Sequence, residues 1–496
     1  MLNITTFLDA NMCRLDKPVF CCPKRNTFYT SRDILSIASA VARDLQNLGV
    51  TKGDRVMLYL DSSPEYLFSY FAVWRIGAVA VAANRVYTPP ELAYMANNSG
   101  AKIMITDNEG AAFAPEGVRA YVPPDIETLR GAEILPPVLT EFDDLCQLQY
   151  TSGTTGRPKG AMLTHGGYLT AIHNECDVLA YRESDVYLGI YPMGHVGLSW
   201  GIAALRAGAL FIMMDRYEPA AYLELCKEHK VTVLSGMPPV IHSLATAEGT
   251  VPDESLKTVR EIISGGGPLH HEIWKKFHYR YNIPVINAYG LSETIVIGTG
   301  TVIRPEDYRF ADRFQSVGHP VCFSEVKIVD EMDANKVMPV GVPGEIALRG
   351  PAVALGYYNM PEETREAFLP DGWFLTGDVG YLDKDNRLCI TDRKKDMIVM
   401  SGWKIYPTEV EDALLKYDGI KEIAVFGIPD VHRGEIACAA VVWNAGFDAK
   451  NEADLIVFAK ENLAGYKVPR KIISVEELPR VNGWKLLRRE LREQYS

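Results

Sequence analysis

Strand-like and helix-like segments alternate through the larger, N-terminal part of this chain, and this order restricts the fold more than any other feature. Apolar residues recur at helical spacing over residues 34–48, and Arg55–Leu60 is a short apolar run of the buried-strand type. The same two patterns return at residues 90–97 and 102–106. Strand–helix–strand order is typical of parallel sheets covered by helices. The sequence therefore predicts an α/β fold with parallel-rich sheets.

The pattern changes after about residue 320. Glu325–Val329, Gly344–Arg349 and residues 387–391 are short strand-like runs joined by turn-rich segments, which predicts a small β-rich subdomain. The charged run 392–396 lies between two apolar segments and is interpreted as a linker. Beyond it, alternating helix and strand patterns predict a separate α+β domain of roughly 100 residues.

Composition and charge exclude several classes of protein. A hydrophobic content of 47% and a charged content of 23% are ordinary for globular chains, and they exclude a disordered or collagen-like protein. The net charge of −12 argues against a general nucleic-acid binder, which would carry a basic surface. The first residues lack a basic segment followed by an apolar one, so we expect no secretory signal.

Two apolar stretches are too short to cross a membrane. Residues 69–83 and 201–214 are interrupted by Arg75 and Arg206, and both are shorter than the roughly 20 residues that a membrane-spanning helix needs. We expect buried core elements there and no integral membrane contact.

The nine cysteines include no CxxC pair, which disfavours a zinc cluster or a disulfide framework. Free thiols are typical of a reducing compartment, so a cytoplasmic location is predicted.

A loop rich in glycine and threonine carries the most chemical information. Residues 150–160 read YTSGTTGRPKG and follow a strand-like run. Glycines allow a close approach of the backbone to a ligand, and hydroxyl groups and Lys159 suit phosphate oxygens. The spacing differs from the GxxxxGK[ST] pattern, which argues against a P-loop kinase or GTPase. Composition alone leaves a polyphosphate-binding loop and a flexible polar surface loop both open.

The same segment resembles the signature of the adenylate-forming superfamily: acyl-CoA synthetases, coumarate–CoA ligases, luciferases and peptide-synthetase adenylation domains. It matches YTSGTTGxPKG at every fixed position, and further motifs follow in the family's order over nearly the whole chain. These are SGGGPL at 264–269, NAYGLSET at 287–294, GWFLTGD at 372–378 and DRKK at 392–395. Each motif alone is weak, but their combination in this order is specific.

The resemblance implies a set of nucleotide-binding residues. Glu293 stands where the family holds Mg²⁺, a cation that prefers carboxylate and phosphate oxygens. Tyr289 matches the aromatic residue that stacks on adenine, and Asp378 matches the carboxylate that binds the ribose hydroxyls. The expected ATP- and AMP-binding residues are Thr151, Ser152, Gly153, Thr154, Thr155, Lys159, Gly265, Gly266, Gly267, Ala288, Tyr289, Gly290, Ser292, Asp378 and Arg393.

The resemblance also implies a mobile C-terminal domain. Lys395 matches the hinge position, which divides the chain into an ATP- and acyl-binding domain of residues 1–394 and a small mobile α+β domain of residues 395–496. Gly402, Trp403 and Lys404 resemble the loop that lines the CoA channel. Trp403 fits an anchor at the domain interface equally well.

The last motif departs from the family's pattern. The family usually ends with PRTxSGKxxRRxL, whereas residues 479–491 read PRVNGWKLLRREL. Lys485 aligns without a gap and takes the catalytic-lysine position. The glycine before it is replaced by Trp484, and Gly483 stands one place earlier. Because glycine adopts backbone conformations that tryptophan resists, this departure bears on the efficiency of adenylation and not on the fold.

Residues 192–196 resemble the family segment that borders the acyl pocket. His195 resembles a gate that swings as the domain moves, although a structural histidine on a buried turn is the alternative. Gly194 replaces a bulky residue of that segment, and Trp200, Gly197 and the three glycines 265–267 suggest an apolar, fairly roomy pocket near the carboxylate. The expected acyl-pocket residues are Gly194, His195, Trp200, Gly267 and Gly290. The absence of an evident basic residue there disfavours a dicarboxylate. We expect a medium-sized apolar acid: a medium-chain fatty, aromatic or alicyclic carboxylate.

Together these features predict an acid–thiol ligase. It would be an ATP-dependent acyl-CoA synthetase that forms an acyl-adenylate, then a CoA thioester, and releases AMP, with ATP, CoA and Mg²⁺ required. Lys485, Glu293 and His195 are the expected catalytic residues. Two alternatives remain open: a stand-alone adenylation enzyme that loads a carrier protein, and a nucleotide-binding pseudoenzyme. The sequence leaves the oligomeric state and the reaction direction in the cell open.

Overall fold

The computed structural model describes residues 2–151, 157–247, 254–304, 307, 315–481 and 485–496, with the backbone alone at 481 and 485. The helices of this part of the chain are α1 (Thr6–Arg14), α2 (Ser31–Asn47), α3 (Pro64–Arg75), α4 (Pro89–Ser99), α5 (His165–Leu179), α6 (Ser199–Ala207), α7 (Pro219–Glu228), α8 (Pro238–Thr246), α9 (His271–Tyr281), α10 (Pro361–Ala367), α11 (Pro407–Leu414), α12 (Glu452–Asn462) and α13 (Arg488–Tyr495).

The strands of the same ranges are β1 (Pro18–Cys22), β2 (Thr27–Thr30), β3 (Arg55–Leu60), β4 (Val79–Asn84), β5 (Ile103–Thr106), β6 (Arg119–Tyr121), β7 (Leu145–Thr151), β8 (Lys159–Thr164), β9 (Val186–Gly189), β10 (Leu210–Met213), β11 (Val233–Ser235), β12 (Glu261–Ser264), β13 (Val285–Leu291), β14 (Val296–Val302), β15 (His319–Pro320), β16 (Glu325–Val329), β17 (Gly344–Arg349), β18 (Phe374–Leu382), β19 (Leu388–Arg393), β20 (Ile398–Met400), β21 (Trp403–Ile405), β22 (Ile420–Asp430), β23 (Gly434–Trp443), β24 (Lys471–Ser474), β25 (Arg480–Val481) and β26 (Lys485–Leu486).

One sheet of the large domain has the strand order β6-β5-β3-β4-β7-β8 among the described residues. Neighbours from β6 to β7 are parallel, whereas β8 pairs antiparallel with β7. The apolar stretch 69–83 forms part of α3 and β4 and is buried throughout, as predicted for a core segment. Because β7 and β8 form a hairpin, the glycine–threonine loop lies between two antiparallel strands.

A second sheet has the order β15-β14-β13-β12-β11-β9-β10-β1-β2 within the described ranges. Its central strands, from β1 to β13, are parallel, and β2, β14 and β15 add antiparallel edges. The predicted α/β fold with parallel-rich sheets is therefore confirmed. The carboxyl ends of parallel strands meet at one edge of a sheet, and binding sites in such folds form at that edge.

The predicted β-rich subdomain is an antiparallel sheet with the order β16-β17-β18-β19. Its register places Asp378 of β18 opposite Arg393 of β19. The linker predicted at residues 392–396 was wrong at its start, because Asp392 and Arg393 belong to β19. Asp392 is buried and hydrogen-bonded, as expected for a residue at the end of a strand. Only residues 394–396 form the turn into β20.

The chain ends in the smaller α+β domain that the sequence predicts. Strands β20 to β23 are antiparallel and β24 adds in parallel to β23. Helix α11 packs against β22, and α12 packs against α11. No helix among the described residues is long and apolar enough to cross a membrane. The nine cysteines are free thiols, and the cytoplasmic location stays a prediction.

Candidate active site

The β7–β8 hairpin brings Thr151 and Lys159 into register at the two ends of the glycine–threonine loop. The ammonium of Lys159 lies 5.1 Å above the centre of the Tyr357 ring. The side chain of Thr151 lies 3.4 Å from Glu293 Oε1, to which its hydroxyl donates. The hairpin thus directs a hydroxyl and a cation toward the same region. The predicted phosphate-binding residues Ser152, Gly153, Thr154 and Thr155 lie outside the described residues.

Glu293 is a buried carboxylate next to this hairpin. It lies in a short 3₁₀ helix, Ser292–Thr294, which directly follows β13, and it is 7% exposed. The hydroxyl of Tyr357 donates to its Oε1 at 3.0 Å. Burial raises the pKa of Glu293 above its usual value. Hydrogen bonds from its own backbone N–H, from Tyr357 and from Thr151, together with the charge of Arg393, only partly oppose that rise.

A second buried carboxylate, Asp378, lies between Tyr289 and Arg393. The Tyr289 hydroxyl donates to Asp378 Oδ2 at 2.8 Å, and Arg393 Nε lies 3.4 Å from Oδ1. Asp378 is 6% exposed, and burial raises its pKa although the charge of Arg393 and the hydrogen bond from Tyr289 oppose the rise. Three residues that the sequence names separately are thus brought into one contact group.

The three predicted glycines, Gly265 to Gly267, lie in three different local environments. A Cβ at Gly265 would lie 3.1 Å from the Ala288 carbonyl oxygen, so β13 approaches the backbone closely there. Gly266 has a φ of +83°, which favours glycine. A Cβ at Gly267 would meet only Pro238, at 3.9 Å. The backbone wall next to β13 is therefore flat and open at Gly267.

Ala288 and Gly290 lie within β13, and Ser292 begins the helical turn after it. A Cβ at Gly290 would lie 1.7 Å from the Val296 carbonyl oxygen, so the returning strand β14 requires glycine at this position. Gly290 is therefore a packing residue whatever else it contacts.

The segment predicted to border the acyl pocket follows β9. A Cβ at Gly194 would lie 1.9 Å from Asn84 Oδ1, and one at Gly197 would lie 2.9 Å from the Tyr191 ring. The side chains of Asn84 and Tyr191 lie in the space next to these two glycines. The roomy acyl pocket expected from the sequence stays a prediction.

His195 directly precedes the short 3₁₀ helix Val196–Leu198, and its backbone N–H donates to the Pro192 carbonyl at 3.0 Å. Trp200 is 1% exposed and packs in the large hydrophobic core. Their roles as gate and as pocket wall stay predictions.

The predicted hinge and CoA-channel residues lie between β19 and β21. Lys395 is in the turn after β19, and burial, with the nearby charge of Arg393, lowers its pKa. Gly402 has a φ of +83° in the β20–β21 turn. Trp403 is 59% exposed and stacks on Tyr466 of its own domain at 4.8 Å, and Lys404 Nζ lies 2.7 Å from Glu331 Oε1 of the subdomain.

Lys485 stands in a small hairpin, where β26 pairs antiparallel with β25 and Lys485 is opposite Val481. Its backbone is described and its side chain is not; Gly483 and Trp484 lie outside the described residues. The catalytic role predicted for Lys485 and the effect of Trp484 stay predictions.

The sequence did not identify Tyr357, although this residue joins two parts of the site. Its hydroxyl binds Glu293 and its ring lies under Lys159. Burial raises its pKa, and so does the charge of Glu293. A single tyrosine has no pattern of its own in a sequence, so tertiary contact alone reveals it.

Comparisons with known proteins agree with this geometry. A family model described as AMP-binding enzyme matches residues 8–358, and one described as AMP-binding enzyme C-terminal domain matches residues 409–483. The 4-coumarate–CoA ligase 1 of Arabidopsis thaliana is 32% identical, over 94% of this chain and 87% of that protein. The long-chain-fatty-acid–CoA ligase FadD13 of Mycobacterium tuberculosis is 33% identical, over 96% and 94%.

Solved structures of MatB from Rhodopseudomonas palustris are also similar. The ATP-bound form has a TM-score of 0.90 at 29% identity and the apo form 0.79 at 29%, each covering 100% of this chain and 99% of that chain. Fold and site thus define a nucleotide-dependent ligase. The chain belongs to the AMP-binding enzyme family, and within it to the acid–thiol ligases that use CoA.

Proposed function

We propose that this protein is an ATP-dependent acyl-CoA synthetase that activates a carboxylic acid as its acyl-adenylate and then transfers the acyl group to CoA. One observation carries the proposal. Strand β13 contributes Tyr289 to the Asp378 group and leads directly into the turn that holds Glu293 beside the β7–β8 hairpin. A single strand thus joins one group suited to ribose hydroxyls with another suited to a charged polyphosphate.

Glu293 fits a magnesium ion shared with the nucleotide. Mg²⁺ is usually bound through one or two carboxylates together with substrate phosphates and water. The described ranges contain no group of three or more His, Cys, Asp or Glu side chains that could hold a metal ion by themselves. The ion, when bound, would neutralise charge on the polyphosphate. Thr151 and Tyr357 would hold the carboxylate in place for it.

In the first half-reaction, a carboxylate oxygen of the acid attacks the α-phosphorus of ATP, and the bond to the pyrophosphate oxygen breaks. The protein supplies position and charge more than covalent chemistry. Asp378 would accept hydrogen bonds from the ribose, and Lys159 would hold the outgoing pyrophosphate. Lys485, which the resemblance assigns to this step, would balance the charge that develops at the α-phosphate.

In the second half-reaction, the CoA sulfur attacks the acyl carbonyl, the bond from that carbon to the phosphate oxygen breaks, AMP leaves with the electron pair, and the thiol proton passes to solvent. We propose that the C-terminal domain rotates about Lys395 between the two steps and brings residues 402–404 to the CoA channel. The better superposition on ATP-bound than on apo MatB supports assigning the present arrangement to the first step. The exposed position of Trp403 agrees with this assignment.

For the substrate, we propose a medium-sized apolar carboxylic acid: a medium-chain fatty, aromatic or alicyclic acid. The open side of Gly267 faces the apolar ring of Pro238. Relatives named for an aromatic acid and for long-chain fatty acids stand at similar identity. The filled spaces beside Gly194 and Gly197 favour the slimmer members of this class.

The test is an AMP-release screen with Mg²⁺, ATP and CoA against acids graded in length and ring character. The proposal expects CoA-dependent AMP formation with at least one apolar acid and a weaker signal with dicarboxylates. ATP–pyrophosphate exchange without consumption of free CoA would favour the carrier-loading alternative. ATP binding without AMP formation for any acid would favour the pseudoenzyme.

A further inference from the structure

A cluster of charged side chains joins the two domains away from the nucleotide site. His270, directly before α9 of the large domain, faces α11 of the C-terminal domain. Its Nδ1 lies 2.7 Å from Asp412 Oδ1, and its Nε2 lies 3.8 Å from Glu411 Oε2. At 2.7 Å the Nδ1–H donates a charge-assisted hydrogen bond. This contact crosses the predicted hinge.

Glu411 connects that contact to the segment that carries Lys485. The carboxylate is fully buried and accepts two hydrogen bonds from Arg488, at 2.7 and 2.8 Å, and one from the Val425 N–H at 2.7 Å. Arg488 begins α13 and follows Lys485 closely in the chain. A single nitrogen of Arg488, Nη2, donates to both carboxylate oxygens, so a charge-assisted contact ties α13 to α11. The position of α11 therefore sets the position of the Lys485 segment.

Asp392 makes a second contact across the hinge. It lies in β19 next to Arg393, and its Oδ2 accepts a hydrogen bond from the Thr408 N–H, in the first turn of α11, at 2.7 Å. Burial raises the pKa of Asp392 to about 6, and the charge of Arg488 opposes the rise. This contact holds α11 against the strand whose last residue, Arg393, lies 3.4 Å from Asp378.

We propose that His270 and Asp412 form a latch between the domains, and that His270 is a positioning residue that holds the Lys485 segment in place for adenylate formation. The proposal rests on the assignment of the present arrangement to the first half-reaction. The latch connects His270 to Asp412 and Glu411 on α11, and Glu411 to Arg488 on α13. Domain rotation would have to break the latch, so the latch would favour the present arrangement over the rotated one.

The charges around His270 predict how the latch responds to pH. It is faced by Asp412 and Glu411 from α11, by Arg488 from α13 and by His242 from α8, which itself faces Glu422 and Arg480. Burial alone would lower the pKa of His270, but the hydrogen bond and charge of Asp412, with Glu411, outweigh burial and raise it above 6.5.

A histidine whose pKa is raised by docking stabilises the docked arrangement fully below about 6.5 and loses that effect as pH rises through the raised pKa. Asp392 opposes this effect below about pH 6, because its charged form, which accepts the hydrogen bond from the Thr408 N–H, becomes less populated there. The latch is therefore strongest under mildly acidic conditions and weakens as pH rises.

The experiment compares the full-length protein with His270→Gln, Asp412→Asn and the double variant in both half-reactions. We expect the kcat of ATP–pyrophosphate exchange to fall about tenfold with little change in the KM for ATP, while thioester formation from supplied acyl-adenylate is unchanged or faster. The double variant should lose no more than either single variant, because both remove one contact. The matched controls are His432→Gln and Asp418→Asn, because both side chains are exposed in the C-terminal domain.

A pH series separates the latch from a general structural role. The ratio of wild-type to His270→Gln exchange should fall as pH rises from 6 to 9, since the variant cannot titrate at this position. A flat ratio, or equal loss in both half-reactions with a lowered melting temperature, would overturn the latch.

A readout that needs no catalysis separates this proposal from the proposed function. Fluorophores carried by unnatural amino acids at Tyr279 and Val431, exposed in the large and small domains, report the distance between them by energy transfer. The wild-type distance distribution should broaden as pH rises, and that of His270→Gln should be broad at every pH. If no acid yields an adenylate but the distances behave this way, the function fails and the latch stands; identical distributions overturn the latch.

Discussion

Replacing Tyr289 by phenylalanine removes the hydroxyl that contacts Asp378, the residue expected to bind the ribose, and keeps the ring that is expected to stack on adenine. The hydroxyl donates to Asp378 Oδ2 at 2.8 Å, next to a carboxyl that is 6% exposed. A hydrogen bond to a charged group contributes about 1.5–3 kcal/mol, which corresponds to a loss of roughly 10- to 150-fold in kcat/KM for ATP. The loss leaves Asp378 with less compensation for its charge.

The same substitution has a predictable effect on the pH profile. Burial raises the pKa of Asp378, and the hydrogen bond from Tyr289 opposes that rise. Without the hydroxyl the pKa of Asp378 rises further. The charged carboxylate is the form expected to accept hydrogen bonds from both ribose hydroxyls, so the acidic limb of the kcat/KM profile should move to higher pH.

The assay is ATP–pyrophosphate exchange measured against ATP concentration at several pH values. Tyr381→Phe is the matched control, because Tyr381 lies on the same strand, β18, as Asp378 and its hydroxyl is outside the proposed site. Thermal melting separates a binding effect from loss of fold. Exchange by Tyr289→Phe within about twofold of wild type at every pH, or an equal loss in Tyr381→Phe, would refute the reasoning.

Three further predictions follow from the geometry of the site. Lys485→Ala should abolish ATP–pyrophosphate exchange yet leave thioester formation from supplied acyl-adenylate nearly intact; equal loss in both reactions would contradict its assignment to the first step. Tyr357→Phe removes a donor to Glu293 at 3.0 Å and should raise the Mg²⁺ concentration needed for half-maximal exchange, whereas an unchanged requirement would speak against magnesium at Glu293. Gly194→Ala places a Cβ 1.9 Å from Asn84 Oδ1 and should lower the melting temperature by several degrees, and adding Asn84→Gly should restore most of it.

Local sequence signals predict much of the fold. The strands Arg55–Leu60 and Glu325–Val329 begin and end where the sequence places them, because short apolar runs bounded by turns are signals within one segment. The motifs also name Tyr289 and Asp378 without relating them. The structure brings the two side chains into contact, and their roles toward ATP stay predictions.

Contacts between residues that are distant in the sequence, including those between the two domains, could not be predicted. Asn84, far away in the sequence, lies where a side chain at residue 194 would be, and no local pattern indicates this contact. Tyr357 carries no motif, and the contact between His270 and Asp412 joins two domains that the sequence treats separately. Each of these depends on tertiary packing, which a residue pattern does not encode.

The buried acids explain how a chain with a net charge of −12 can bind anionic substrates. Burial raises the pKa of Glu293 and Asp378 by more than their present partners lower it. The partners that the reaction would add are a divalent cation at Glu293 and ribose hydroxyls at Asp378. Both favour the charged carboxylate, so binding of the nucleotide with its cation should release protons. We therefore expect the acids at this site to select for the cation and the hydroxyls that accompany the phosphates, while Lys159 and the Lys485 segment would supply the positive charge that the phosphates require.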